Sequence, residues 1–458
     1  MAFRLLNGYE MTTFAFNSDL HADRASSPLG LTSSERGSHS VLFHVQQIAF
    51  SLLLVFTPLA RGATNQWAFC IALWLALIAF TAMLARRLWQ GEPLLPRSAL
   101  DLPIAALLVL ASVSWLSSIY RDATVWALLR LLLYVAAFYL SLGMTESRRQ
   151  TRRLIQTIVG MGVIVSFLGL VQYSGAPFPA FWGTSDPTHL NSTFVNYNHL
   201  GGYLAMILTL GLSVVLHRTT ETVPIWTGAL LFMLVALCLS LSRGAWIGAF
   251  VAVEFTLVLS MLRRKMSRFK IGILAFGLLL AAGMTMLGSN PVIDRIQTLK
   301  SPVNTEPAGR MAVWGGCADL IKKFPLLGTG LGTFPWSFTE VRPAGLTERY
   351  REAHNDWLQI VTELGLPVLL PLLWGLTALF RTGLLSFRTT SSRLCAGTVL
   401  GALGGIVAIL VHSVSDFNIQ ITSNGVVFAC LAGLVMGRYS WALQVHRRGG
   451  QIHHRASG

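Results

Sequence analysis

Apolar runs long enough to cross a bilayer follow one another from residue 41 almost to the C-terminus. A spanning helix needs about 20 consecutive, mostly apolar residues. Twelve such runs are predicted: 41–60, 66–85, 99–120, 124–144, 154–173, 199–217, 224–241, 244–262, 269–288, 356–380, 395–413 and 422–442. The first carries His44, Gln46 and Gln47, and the eleventh is rich in glycine. Two connections on the same side of the bundle, 174–198 and 289–355, are longer than linkers need to be, and loops of that length are usually functional or disordered. In the second, Met311, Trp314, Ala318 and Ile321 recur at helical spacing, with Lys322 and Lys323 on the polar side. That pattern predicts an amphipathic helix lying along the membrane surface and ended by Pro325.

Composition agrees with the pattern. The 458 residues are 53% hydrophobic and 12% charged, with a mean hydropathy of +0.58. A soluble chain carries about 25% charged residues, so most of this exterior must face hydrocarbon. The expected fold class is all-α, a polytopic integral membrane protein. The net charge of +15 would point to nucleic acid in a soluble chain. Here the basic residues sort by side instead. Arg86, Arg87, Arg97, the Arg148–Arg153 group, the Arg263–Lys270 group, Arg381, Arg388, Arg393 and Arg447 fall in alternate connections, while the opposite short loops hold little beyond Arg61, Arg121 and Arg243. The positive-inside rule then places the N-terminus in the cytoplasm and nucleic acid is not expected as a partner.

The organisation expected is a disordered cytoplasmic tail over 1–40, with no apolar signal-peptide core. A transmembrane bundle over 41–288 contains the first outer loop, 174–198. The large outer loop at 289–355, C-terminal helices over 356–442 and a cytoplasmic tail over 443–458 follow. The five cysteines are scattered and form no CxxC pair, which argues against a disulfide framework or a zinc site.

Candidate chemistry concentrates on the outer side. Arg243 lies at a helix junction, Arg310 opens the amphipathic segment, and His354 and Asn355 precede a helix that re-enters the membrane. Asn196, Asn198 and His199 lie at the outer end of another helix. Each has a plainer reading: Arg243 can snorkel to the interface, Arg310 can be a solvated charge, and Asn355 or Asp356 can cap a helix. The Gly328, Gly330 and Gly332 run lacks the βαβ context of a dinucleotide fingerprint. Asp101, Arg130 and Glu254 fall within apolar runs, and intramembrane charges are functional suspects or buried structural partners.

Four stretches, STFVNYNHLGGYL, LSRGAWIGAF, GRMAVWGGCADLIKKFPLLGTGLGTF and AHNDWLQIVTELGLPVLL, spanning about 191–370, resemble the motifs of the O-antigen ligase and polymerase superfamily of bacterial envelope glycosyltransferases. The resemblance implies a fold similar to the GT-C-like membrane glycosyltransferases and residence in the bacterial inner membrane with a site facing the periplasm. It implies transfer of a glycan from undecaprenyl pyrophosphate to a glycan or lipid A-core acceptor, without metal or cofactor. Arg243 and Arg310 match the family's arginines and would grip the pyrophosphate leaving group. His354 matches its histidine and would serve as general base. Asn196, Asn198, His199 and Asn355 would shape substrate binding. A ligase of lipopolysaccharide biosynthesis is the first reading, and a polymerase of O-antigen or exopolysaccharide the second. A bicarbonate-type solute transporter is the reading from another class, and it would place its polar groups near the bilayer midplane.

Overall fold

A computed structural model describes residues 33–176, 179–182, 189–263, 305–343 and 350–439. The predicted run at 269–288 lies outside them, as do most of the N-terminal tail and the C-terminal tail. Among the described residues every regular element is helical. The helices are α1 (Ser33–Leu59), α2 (Gln66–Trp89), α3 (Asp101–Ser117), α4 (Arg121–Met144), α5 (Arg148–Tyr173), α6 (Tyr197–Leu216), α7 (Val223–Leu239) and α8 (Arg243–Arg263). Then come α9 (Thr305–Lys323), α10 (Phe334–Val341), α11 (Asp356–Leu364), α12 (Leu369–Thr389), α13 (Arg393–His412) and α14 (Thr422–Val435). Eight described helical segments are long and apolar enough to cross a membrane, and α3, α7 and α14 are shorter apolar helices. The chain is an all-α, multi-pass membrane protein.

Boundaries follow local chemistry. Asn196 starts α6, its side-chain oxygen accepting from the Asn198 N–H, and Ser392 starts α13 in the same way through the Cys395 N–H. Such caps satisfy amide groups that the first turn leaves without a partner.

The predicted run at 356–380 is not one helix. The short α11 ends at Leu364, Gly365 takes a φ of +75°, and the spanning segment begins only at Leu366. A Cβ on Gly365 would lie 2.6 Å from the Leu326 carbonyl, so the break serves a close backbone approach. Hydropathy reads across such a break because both sides of it are apolar.

The core is built on α6 and α13. The hydropathic window of α6 is buried throughout, and that of α13 nearly so. The glycines of α13 explain this. A Cβ at Gly401 would lie 2.9 Å from the Leu210 carbonyl oxygen, and one at Gly405 would lie 2.7 Å from that of Met206. Small residues let helix backbones approach closely where lipid offers no hydrophobic drive between helices. The glycine richness that weakens the apolar signal of the eleventh run is thus a packing device. At the opposite, basic end, buried Arg87 ties the bundle together. Its Nε donates to the Pro93 carbonyl at 2.8 Å and its Nη atoms meet Glu92 and Glu146 at 3.2 Å each.

The helix predicted around 311–321 forms as α9, but with another face inward. Val313, Gly316, Cys317 and Leu320 are buried, Val313 and Cys317 against Phe334 and Phe338 of α10, whereas Met311 is 63% exposed and Ala318 is also exposed. The inward set has the i, i+3, i+4, i+7 spacing of a core face. The sequence contains both stripes, and the aromatic pair of α10 selects between them.

The Gly328–Gly332 turn wraps the end of α11. The Thr329 and Gly330 N–H groups donate to the Thr362 and Glu363 carbonyls, and the Glu363 carboxylate accepts from the Gly332 N–H at 2.7 Å and the Phe334 N–H at 3.3 Å. Burial pushes Glu363 up to about 7, against those bonds.

Gly405→Val forces a branched side chain against the Met206 backbone. Overpacking of this kind costs about 1–3 kcal/mol. A thermal-shift measurement in detergent should show a lowered midpoint, while Gly315→Ala, whose added methyl group would find nothing within 4 Å, should not lower it.

Candidate active site

Polar side chains gather where α6, α8, α11 and α14 begin and α13 ends. Their common anchor is the turn from His412 to Asn418 that joins α13 to α14. Asp356 pins it from α11. The Asp356 N–H donates to the carbonyls of Ser413 (2.9 Å) and Asp416 (3.2 Å), and its Oδ2 accepts from the Ser413 hydroxyl (2.7 Å) and the Ile419 N–H (3.0 Å). Asn355 caps α11 by accepting from the Leu358 N–H at 3.0 Å. His354 has a φ of +51°, a left-handed backbone that His, Asn and Asp enter more readily than other non-glycine residues. The turn before it is clamped. Trp314 of α9 donates to the Ala353 carbonyl at 3.0 Å, and the Ala353 N–H donates to Gln359 Oε1 at 2.9 Å.

Held this way, His354 Nδ1 stands 3.6 Å from Asp416 Oδ1, a charge contact longer than a hydrogen bond. The histidine side chain is 25% exposed and the carboxylate 2%, so the imidazole is reachable while its partner is not. On the other side His412 Nε2 lies 3.8 Å from Asp416 Oδ2. Phe417 meets the rings of His199 and His354 edge-on, at centroid distances of 4.8 and 4.9 Å. Burial alone would raise the Asp416 carboxyl. The contact with His354 and the imidazoles of His199 and His412 outweigh burial and hold it well below the usual carboxylate range.

Next to this cluster, Arg310 Nη1 donates to the Ser415 carbonyl at 2.9 Å. Arg310, Arg243, Tyr197 and Asn198 line one small pocket together with His412, Ser415 and Asp416. Gly244 makes the approach possible: a Cβ there would lie 2.6 Å from both His412 Cδ2 and Ser415 Oγ. Since α6 begins at Tyr197 and α8 at Arg243, two long helices turn their N-terminal ends to the pocket. Their positive dipole ends add to the two guanidinium groups. The arrangement is suited to an anion, with an imidazole one residue further along the same turn.

Of the residues singled out in the sequence, Arg243, Arg310 and Asn198 share the pocket, and His354 adjoins it through Asp416. The other three belong to the frame. The Asn196 and Asn355 side-chain oxygens are taken up by caps, and His199 is 5% exposed behind Phe417. Asp101 lies at the far, basic end, accepting from the Ser98 N–H at 2.9 Å and the Tyr139 hydroxyl at 2.8 Å. Arg130 donates to Gln420 Oε1 at 3.1 Å. Sequence reasoning missed Asp416 and His412, and named Asp356 only as an alternative helix cap. The signal for the first two was the polar run HSVSDFN, which closes an apolar span on the same side as the other motifs.

Residues 228–373 match the family model described as O-antigen ligase, whose members are glycosyltransferase-like enzymes. No curated protein matches the chain. The matched segment runs from α7 into α12 and so includes Arg243, Arg310 and His354, while Asp416 lies beyond it.

Asp356 supplies a test of the frame. Burial pushes its carboxyl up to about 8, outweighing the bonds from Ile419 and Ser413, and Asp416 adds to the rise. Between the ordinary aspartate value of 3.8 and about 8, the folded chain holds a proton that the unfolded chain has released. Stability contributed here is therefore full at low pH and falls as pH rises through that window. Asp356→Asn keeps an oxygen to accept from Ser413 and Ile419 and removes the titration. Its thermal midpoint, measured from pH 5 to pH 8.5, should fall less with pH than that of the unsubstituted protein; parallel curves would count against this account.

Proposed function

We propose that the chain, whose residues 228–373 match the O-antigen ligase family model, moves a glycan from a polyprenyl-pyrophosphate donor to an acceptor sugar hydroxyl at the periplasmic face of the bacterial inner membrane. The observation that carries this reading is the meeting of Arg310 and His354 at adjacent residues of one turn, Ser415 and Asp416, with Arg243 on the same pocket.

The chemistry follows from that placement. The acceptor oxygen attacks the anomeric carbon, its proton passes to His354, and the bond from that carbon to the pyrophosphate oxygen breaks. Nδ1 of His354 faces Asp416, so the tautomer with its proton on Nδ1 leaves Nε2 as the base. The buried carboxylate then stabilises the imidazolium that forms, as the buried aspartate does in a hydrolytic triad. The departing pyrophosphate gathers negative charge. Arg243 and Arg310 meet it with charge that needs no protonation and with planar donor forks. Attack opposite the leaving group inverts the anomeric centre. The favoured acceptor is lipid A-core, which makes the protein a ligase; a lipid-linked repeat unit as acceptor would make it a polymerase. The clustering of charge at helix ends supports transfer over transport, which calls for polar groups at the midplane.

A deletion strain complemented with His354→Ala tests the base. One well-placed general base contributes about 10²- to 10⁴-fold, so the envelope glycan profile should match that of the deletion. Accumulated lipid-linked polymer marks a ligase, and single repeat units mark a polymerase. Full rescue would remove His354 from the chemistry. Arg310→Ala should weaken binding of a polyprenyl-pyrophosphate analogue by about 10-fold or more, given about 1.5–3 kcal/mol for a hydrogen bond to a charged group.

A further inference from the structure

The first apolar run carries three polar residues, His44, Gln46 and Gln47, that the site described above does not use. Gln46 has a structural partner: its Oε1 accepts from Arg86 Nε at 3.3 Å. The Gln47 Nε2 is buried with no hydrogen-bond partner among the described residues, and a polar group left so in apolar surroundings is costly. Gln47 and His44 line a groove of about 590 Å³ between α1 and α5, and Arg153 and Gln156 line its α5 wall. The groove lies at the basic end of the bundle. From there α1 runs towards the candidate site, where its Pro58 carbonyl accepts from Thr193, just ahead of α6.

The groove is graded in polarity. On α1, Ile48, Leu52 and Val55 continue the face that His44 and Gln47 begin, with the spacing of one helical stripe. From Gln47 to Val55 the helix rises about 12 Å. One leaflet holds roughly 15 Å of hydrocarbon, half of a core about 30 Å thick, so the apolar part is as long as an acyl chain needs. At the polar end, Arg148, Arg149 and Arg152 stand within two turns of Arg153, and the first turn of α5 holds no acidic residue. Glu146, just before it, pairs with Arg87 at 3.2 Å. The sorting of basic residues by side accounts for four arginines here. It does not account for an orphaned amide and an apolar channel joined to one of them.

We infer that the groove between α1 and α5 is a binding site for an anionic phospholipid of the cytoplasmic leaflet, its phosphate held by Arg153 and Gln47 and one acyl chain laid along Ile48, Leu52 and Val55. A phosphate oxygen accepts from the guanidinium fork and gives the Gln47 amide the partner it lacks. Basic clusters between spanning helices on the cytoplasmic side suit anionic headgroups, whereas a zwitterionic headgroup would set its ammonium against the four arginines. The lipid is not a substrate of the proposed transfer, because Arg243 and Arg310 lie at the other end of the bundle.

The test uses the full chain in detergent, with dioleoyl phosphatidylglycerol as probe and the phosphatidylcholine of the same chains for comparison. Retention is read by native mass spectrometry and stabilisation by thermal shift. The unsubstituted protein should retain the anionic lipid preferentially and melt higher with it, since a ligand of the folded state stabilises that state. Arg153→Gln should weaken retention about 5-fold, the loss expected for one basic residue facing an anionic headgroup. Gln47→Leu, which keeps the bulk and removes the donor, should weaken it as well, and Leu52→Trp should do so by filling the acyl channel. Arg149→Gln removes the same charge from outside the groove and should leave retention as it was. Equal loss in Arg149→Gln would mean diffuse surface charge and would overturn the site. Equal retention of the two lipids, or unchanged retention in Arg153→Gln and Gln47→Leu, would overturn it too. So would a lipid-free dimer, which would make a second copy the occupant. None of these readouts depends on transfer, so the site and the transferase reading stand or fall separately.

Discussion

The turn between α13 and α14 is the constraint on which the site depends. It receives Asp356 from α11, Arg310 from α9 and His354 from the segment before α11, and it packs against Gly244 at the start of α8. Most of these bonds end on its backbone carbonyls, which are fixed once α13 and α14 are seated. Two candidate functional groups far apart along the chain, Arg310 and His354, therefore meet without any direct bond between them. Each is bonded to or faces the same rigid piece of backbone, so a shift of the turn moves both together.

That rigidity comes from the core. The glycines of α13 bring its backbone against α6, and the buried α6 in turn presents Tyr197 and Asn198 to the pocket. The segment leading into α6 is tied down as well, with Thr193 donating to the Pro58 carbonyl at 2.7 Å and the Leu190 N–H to that of Leu239 at 3.1 Å. Close helix packing in a bilayer rests on shape rather than on hydrophobic drive. Precision at the pocket is thus inherited from small residues some turns away within the bundle.

How much of this the sequence discloses depends on the kind of interaction. Spanning helices are legible because twenty apolar residues have few other fates, and the basic residues sort by side. The break at Gly365 is not, because a backbone approach between Gly365 and Leu326 leaves no mark in hydropathy. The inward face of α9 is not legible either, because Phe334 and Phe338 choose between two apolar stripes. Arg243, Arg310 and His354 stand out because the stretches that carry them fall on one side of the bundle. Asp416 is chemically as conspicuous, but its meaning is relational. It is one acidic residue in a loop until the fold sets it between two imidazoles.

The proposed transfer would also account for the buried carboxylate in the site. In the proposed transfer the base must take a proton beside Arg310 and Arg243, so the imidazolium forms as a third cation in a pocket that two helix N-termini already make positive. Without a counter-charge, each guanidinium that eases the departure of pyrophosphate would oppose the proton transfer that makes the nucleophile. Asp416 separates the two demands by position. It is shielded from solvent, so its field is little screened. It contacts the base directly, whereas Arg310 meets the neighbouring Ser415 carbonyl. In that reading the same arrangement would limit how tightly the pocket holds pyrophosphate once the bond is broken. An enzyme gains only from charge that is stronger at the transition state than in the bound product, and a carboxylate beside the arginines keeps that difference from being lost to product retention.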